Sequence, residues 1–283
     1  MSHRGAMSAS VDTQRVTTVT LDVDGQRLHV SRTAGQGVPL LIIGDYAAGR
    51  DMLAPFCQAL ERPTIAFDWP GLDGQDGASW AASRLRMPAR ARVVAALLTA
   101  LDVARVDILG MGWGGLLAQE MARSQARHLR ALVLVATSTG QTMWPGRWSA
   151  LRRLARVRGL AGIAGDAREA RDIFGGRADA DCRAVAATLA DAPAAHPAAL
   201  AGQLYAVAGF SSLAWAHRLE LPTLILAGDD DRIVPLANAR LLQLLIPRAE
   251  LSVMHAAGHW LLIERRDEAV RRVEAFLALF EGA

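Results

Sequence analysis

Four short stretches of this 283-residue sequence place reactive residue types directly behind apolar runs. In the first, VDILG leads into Gly110-Met111-Gly112-Trp113-Gly114-Gly115 and then into a helical pattern. A strand, a tight glycine-lined turn and a helix form the setting of the G-x-S-x-G nucleophile elbow, where small neighbours let a strained nucleophile stand clear of a sheet. The position that would carry the nucleophile is Gly112. In the second, LILAG is followed by Asp229, Asp230 and Asp231. Three consecutive acids behind a buried strand are expensive unless solvated or used, and Asp231 is the candidate for use. The third is His259, after the run AELSVMH and before the last helical stretch. The fourth is Gly44-Asp45-Tyr46, where the backbone N–H of Asp45, with that of Trp113, would face a developing oxyanion. The chain order is elbow, acid, histidine, an order in which nucleophilic triads occur.

The same glycines allow a second reading. Gly110, Gly112 and Gly115 formally satisfy the dinucleotide fingerprint G-x-G-x-x-G. That motif normally opens a fold on its first strand–helix unit, with an acid ~20 residues on. Here several strands precede it, the next strand ends in Ala136-Thr137, and Trp113 would crowd a pyrophosphate. No cofactor is expected.

Composition removes further classes. All 31 basic residues are arginine; there is no lysine. Internal Schiff bases, Walker-type phosphate loops and protein-kinase sites are excluded, because each needs a lysine. The net charge of +3 comes from arginines interleaved with 28 acids, so no nucleic-acid partner is expected. Cys57 and Cys182 stand far apart, which implies neither a disulfide framework nor a metal cluster. The polar start MSHRGAMSAS is unlike a signal peptide, and no run approaches the ~18 apolar residues of a membrane span. The expectation is a cytoplasmic protein.

The elements that must position these residues follow from patterning. TVTLDV and QRLHVS flank Asp24-Gly25, a hairpin signal. PLLIIG, TIAFD, VDILG, ALVLVAT, PTLILAG and AELSVMH are short buried runs separated by helical stretches. Alternation of this kind predicts a mostly parallel sheet with helices on both faces. The predicted organisation is a flexible arm over 1–15, a core over 16–137 and 222–283, and an inserted helical cap over 138–221. A structureless loop of that length would be improbable.

On FDWPGLDGQD, RMPARARVVAALL, LGMGWGGLLAQE, LAGDDDRIVPL, LIPRAEL and GHWLLIE, the chain resembles the α/β-hydrolase superfamily. Within it, DIFGG and QLYAVAGFSSLAW make it similar to the intracellular medium-chain poly(3-hydroxyalkanoate) depolymerases. The resemblance implies that His259 is the general base, Asp231 its orienting acid, and Gly112 the place of the serine. It also implies an acyl-ester ligand under the cap. The chain departs from the family at Gly112, and at Asp73 and Gln75 in the D-x-P-G-x-G-G-S segment. Acyl-enzyme formation needs an oxygen or sulfur at the elbow. Ser138, Thr139 and Cys57 are possible stand-ins, none on the elbow. Glycine would also leave space for a water that His259 could deprotonate.

Three functions stay open. The first is an ester or thioester hydrolase by lineage, impaired by the vacant nucleophile position. The second is a non-hydrolytic His–Asp general-base enzyme, lyase-, cyclase- or oxygenase-like. The third is a non-catalytic binder of an acyl or hydrophobic ligand. Trp144, Trp148, Phe174, Phe210 and Trp215 are candidates to line the ligand site, and Arg147, Arg152 and Arg153 are either anion contacts or solvated surface.

Overall fold

Asp24 and Gly25 both adopt positive φ, 49° and 73°, and reverse the chain between β1 (Val16–Val23) and β2 (Gln26–Thr33). Two consecutive residues in that region make the turn whose twist matches a hairpin. The structure, a computed structural model, describes residues 16–72, 84–156, 166–176 and 179–281. Asp73, Gln75 and the expected arm over 1–15 lie outside the described residues. The remaining strands are β3 (Leu40–Ile43), β4 (Thr64–Asp68), β5 (Val106–Met111), β6 (Leu129–Val135), β7 (Thr223–Gly228) and β8 (Ala249–Met254). Their order across the sheet is β1-β2-β4-β3-β5-β6-β7-β8. The β1–β2 and β2–β4 pairs are antiparallel, and every pair from β4 to β8 is parallel.

β3 to β7 are apolar at nearly every position because both faces are covered. Leu41, Ile43, Ile108, Leu132 and Leu134 face one side with α2 (Met87–Ala100), α3 (Trp113–Ser124) and α8 (Leu236–Leu245). Leu40, Ile42, Leu109, Val133 and Leu226 face the other with α1 (Ala54–Ala59) and α10 (Arg266–Ala278). The expected mostly parallel sheet with helices on both faces is the fold that forms. The apolar stretch at residues 51–60 begins as a 3-10 turn over Arg50–Leu53 and turns α-helical only at Ala54, where Pro55 sits in the first turn.

Between β6 and β7 lie α4 (Trp148–Arg156), α5 (Ala167–Phe174), α6 (Asp179–Ala190) and α7 (Pro197–Val207). The carboxylate of Asp166 caps α5 by accepting from the N–H groups of Arg168 and Glu169. Gly175 and Gly176, both at positive φ, end it. Pro197 opens α7, where a missing N–H costs nothing. A short helix, α9 (Leu261–Glu264), precedes α10.

Candidate active site

Parallel sheets present ligands at the carboxyl ends of their strands. Asp45 follows β3, Gly112 follows β5, Asp231 follows β7 and His259 follows β8. Gly112, at φ 49° and ψ −112°, forms the turn between β5 and α3. A side chain is strained in that conformation. Its N–H donates to the carbonyl of Val135, and its carbonyl accepts from Thr137 Oγ1, so the neighbouring strand end pins the turn.

The three acids after β7 go to different partners. Asp229 meets His255 at 2.6 Å on the surface. Asp230 lies near Arg147 and Arg232. Asp231 Oδ1 accepts from the N–H groups of Ile233 and Val234, both at 2.8 Å, and Oδ2 stands 2.8 Å from His259 Nδ1. The N–H of His259 donates to the carbonyl of Phe174, whose ring stacks on the imidazole at 6.4 Å and 15°.

The side chain of Asp45 completes the arrangement. Its Oδ2 stands 2.8 Å from His259 Nε2, and its Oδ1 accepts from the N–H of Trp113 at 2.6 Å. With a carboxylate on each ring nitrogen, His259 satisfies both only as an imidazolium donating twice. Full burial pulls its pKa down, but the charges and hydrogen bonds of Asp231 and Asp45 outweigh this and hold it well above the usual histidine value. The N–H of Trp113, expected to face a substrate oxyanion together with the backbone of Asp45, is thus engaged by the Asp45 carboxylate. A Cβ on Gly112 would collide with Asp45 Oδ1. The space that glycine was expected to leave for a water is therefore filled by this carboxylate.

These groups open into a cavity of about 830 Å³. Asp45, Gly112, Trp113 and His259 form its floor, and Leu151, Leu200, Leu204, Val207, Ile233 and Val234 supply apolar wall. Of the five aromatic candidates, Phe174 lines this cavity. Trp144 and Trp148 are exposed, and Phe210 and Trp215 border a different hollow beside Arg86 and Arg123. Leu151 of α4 and Leu200, Leu204 and Val207 of α7 share the lining with Tyr46, Trp113, Phe174 and Trp260. Arg147, Arg152 and Arg153 are exposed, and Arg153 pairs with Asp172 at 2.9 Å.

The possible replacement nucleophiles are placed as follows. Ser138 borders the cavity, but its Oγ accepts from the N–H of Gly140 and points to Met143 sulfur. Thr139 Oγ1 pairs with Thr142 Oγ1. Burial pushes the Cys57 thiol up to about 12, so it remains protonated. Among the described residues, no three His, Cys, Asp or Glu side chains gather to hold a metal ion.

Sequence reasoning used Asp45 only for its backbone. Its side chain, Gln203 and Glu264 were not singled out. Gln203 accepts from Trp113 Nε1 through its carbonyl and from the N–H of Ala47 through its side chain, tying α7 to both active loops. Glu264 Oε2 accepts from the N–H of Gly258, beside His259. A buried acid in LLIE was the available signal for Glu264; nothing in the sequence places Gln203.

Comparison with known proteins bears on the fold. The family model described as alpha/beta hydrolase fold matches residues 38–266. The chain is 34% identical over 262 residues to a poly(3-hydroxyalkanoate) depolymerase of Ectopseudomonas oleovorans, covering 91% of each protein. It is 30% identical over 194 residues to the 2-hydroxy-6-oxo-2,4-heptadienoate hydrolase of Pseudomonas putida, covering 65% of this chain and 68% of that one. Among solved structures, the enol-lactonase from Burkholderia xenovorans LB400 superposes with a TM-score of 0.76 at 23% identity, over 92% of this chain and 100% of that one.

Proposed function

Because the chain belongs to the α/β-hydrolase fold family, with hydrolases among its relatives, we propose that it handles an acyl ester or similar acyl ligand without passing through a serine acyl-enzyme. One observation carries this reading: the Asp45 carboxylate fills the volume over Gly112 where a nucleophile would stand. The ligand class rests on the depolymerase relative and on the apolar cavity, which suits a medium-length acyl chain. Segment 138–221 serves as the cap that closes the cavity over a core of 16–137 and 222–283. What remains for chemistry is proton transfer by His259, oriented by Asp231, in a lyase-, cyclase- or oxygenase-like step. Burying an imidazolium between two carboxylates carries a desolvation cost that a purely apolar binding site would avoid, which favours chemistry over simple binding. The two free, buried cysteines fit a reducing, cytoplasmic setting.

Nitrophenyl acyl esters of graded chain length test the reading. The native chain should show no burst of nitrophenol, and at most the residual rate of roughly 10³–10⁴-fold over water left by a site lacking its nucleophile. Gly112→Ser alone should gain little, because the new side chain meets Asp45. Gly112→Ser with Asp45→Ala should gain ~10²-fold or more, and lose it again with His259→Ala. A burst from the native chain overturns the proposal. No gain in the double variant overturns the placement of the site.

A further inference from the structure

The Asp45 carboxylate reaches His259 and Trp113 from a strained turn. The carbonyl of Asp45 accepts from the N–H of Ala48 at 3.1 Å, which makes Ala47 the third residue of that turn. Ala47 has φ 60°, in the left-handed region that a third turn residue enters readily only as glycine or asparagine. An alanine persists there where its surroundings over-determine it. The determinant is on α7. Gln203, buried, accepts the Ala47 N–H on Oε1 at 2.9 Å, and its carbonyl accepts from Trp113 Nε1 at 2.9 Å. Trp113 in turn gives its backbone N–H to Asp45 Oδ1 at 2.6 Å. Gln203, Ala47, Asp45 and Trp113 thus close a circuit that joins α7 to the loops after β3 and β5. The same helix supplies Leu200, Leu204 and Val207 to the cavity wall.

We propose that Gln203 is a positioning residue that clamps the Asp45 turn: its side chain holds Ala47 in the conformation that keeps Asp45 on His259, so the charge of the histidine answers to the seat of α7. With the turn clamped, Asp45 Oδ2 occupies Nε2 at 2.8 Å while Asp231 Oδ2 occupies Nδ1 at 2.8 Å, and the ring is held as an imidazolium. An imidazolium has no lone pair with which to take a proton. Once the turn relaxes, Asp45 leaves, Nε2 opens to the cavity, and only Asp231 still favours the charged ring. The neighbouring acids Asp229 and Asp230 face His255 and Arg232. Tyr46 lines the cavity and Glu264 accepts from the Gly258 N–H; neither hydrogen-bonds the ring. This rests on the reading that His259 carries the chemistry, and adds the residue that decides when its Nε2 is free.

The experiment follows the His259 imidazole by nitrogen-15 NMR in the full chain, with His259→Gln identifying its signals among the seven histidines. Gln203→Leu removes the side-chain acceptor and leaves the carbonyl on Trp113. It should lower the His259 pKa by about one unit or more, a roughly tenfold weaker hold on the proton, and open Nε2–H to solvent exchange. Adding Ala47→Gly, which adopts positive φ freely, should restore both. A merely structural glutamine would lower the urea midpoint and leave the titration unmoved. That outcome overturns the proposal, as does failure of Ala47→Gly to restore the native titration. Should Gln203→Leu not fold, Gln203→Asn, whose acceptor is drawn back by a methylene, must give the same shift or the proposal falls. Should neither fold, hydrogen exchange in the native chain decides. The Ala47 amide should be protected together with the amides of α7, and a fast-exchanging Ala47 overturns the clamp. An unmoved titration without a nitrophenol burst removes only this inference, whereas a burst removes the reading of Gly112 beneath it.

Discussion

At the elbow, the side chain that Gly112 lacks and the one that Asp45 has compete for a single volume, and the glycine is what admits the carboxylate. Five residues from His259 in the chain, Glu264 raises a different question. It is buried, and only one of its oxygens finds a partner, the N–H of Gly258 at 2.7 Å. Burial pushes its pKa up from 4.5 to about 7; the Gly258 N–H opposes this, and the charges of Asp231 and Asp181 add to it. The folded chain therefore binds this proton more tightly than the unfolded chain does. Its contribution is most favourable below pH 4.5 and is lost as pH rises towards 7. The rise amounts to ~3 kcal/mol. Glu264→Gln, which cannot ionise, should remove that downward slope from the stability profile measured by urea unfolding between pH 4.5 and 7. An unchanged slope would show that Glu264 is ionised throughout.

At the scale of elements, the opposite end of the sheet shows what holds β5, β6 and α10 together. Asp107 on β5 is fully buried, and Arg130 on β6 donates to it from Nε at 2.9 Å. Arg62 reaches the same carboxylate at 3.5 Å while its Nη2 meets Glu274 of α10 at 2.6 Å. Removing the acid leaves two guanidinium groups facing a buried gap, so Asp107→Ala should cost ~3–5 kcal/mol in denaturant unfolding. A loss under ~1 kcal/mol would mean that Arg62 stays satisfied by Glu274 and Glu281, which it already meets, and that Arg130 re-pairs elsewhere. These elements were legible in the sequence because VDILG, Asp107 apart, and ALVLVAT are short apolar runs bounded by turn residues, the pattern of doubly covered strands. The loops after them were legible as a site for the same reason: chemistry-bearing residues stand where each strand stops. What periodicity cannot supply is a distance between loops. Asp45 and Trp113 are 68 residues apart, and only the pairing of β3 with β5 brings them together. The exposed Trp148 was misplaced on a similar count: its helix turns Leu151 into the cavity and leaves the tryptophan outside.

Over the whole molecule, 31 arginines without a lysine give a positive charge that barely titrates between pH 7 and 9. Arg90 is pushed down by burial, to about 10, where it lies over the rings of Trp69 and Trp113, so it too keeps its proton in that window. Alkaline stability is thereby unusually sensitive to His259. Its folded pKa is raised by Asp231 and Asp45 against the pull of burial. The stabilisation is fully present below the unfolded value of ~6.5 and is lost as pH rises from there through the folded value. Past that point a neutral ring sits between two carboxylates and can donate to only one of them. His259→Gln cannot titrate, and lysine ionisation contributes to neither protein. The difference in unfolding free energy between native chain and variant should hold steady below pH ~6.5 and shrink above it by about 1.4 kcal/mol per pH unit. A difference that stays flat from pH ~6.5 to ~9 would mean that the Asp45–His259–Asp231 cluster holds no extra proton in the folded chain.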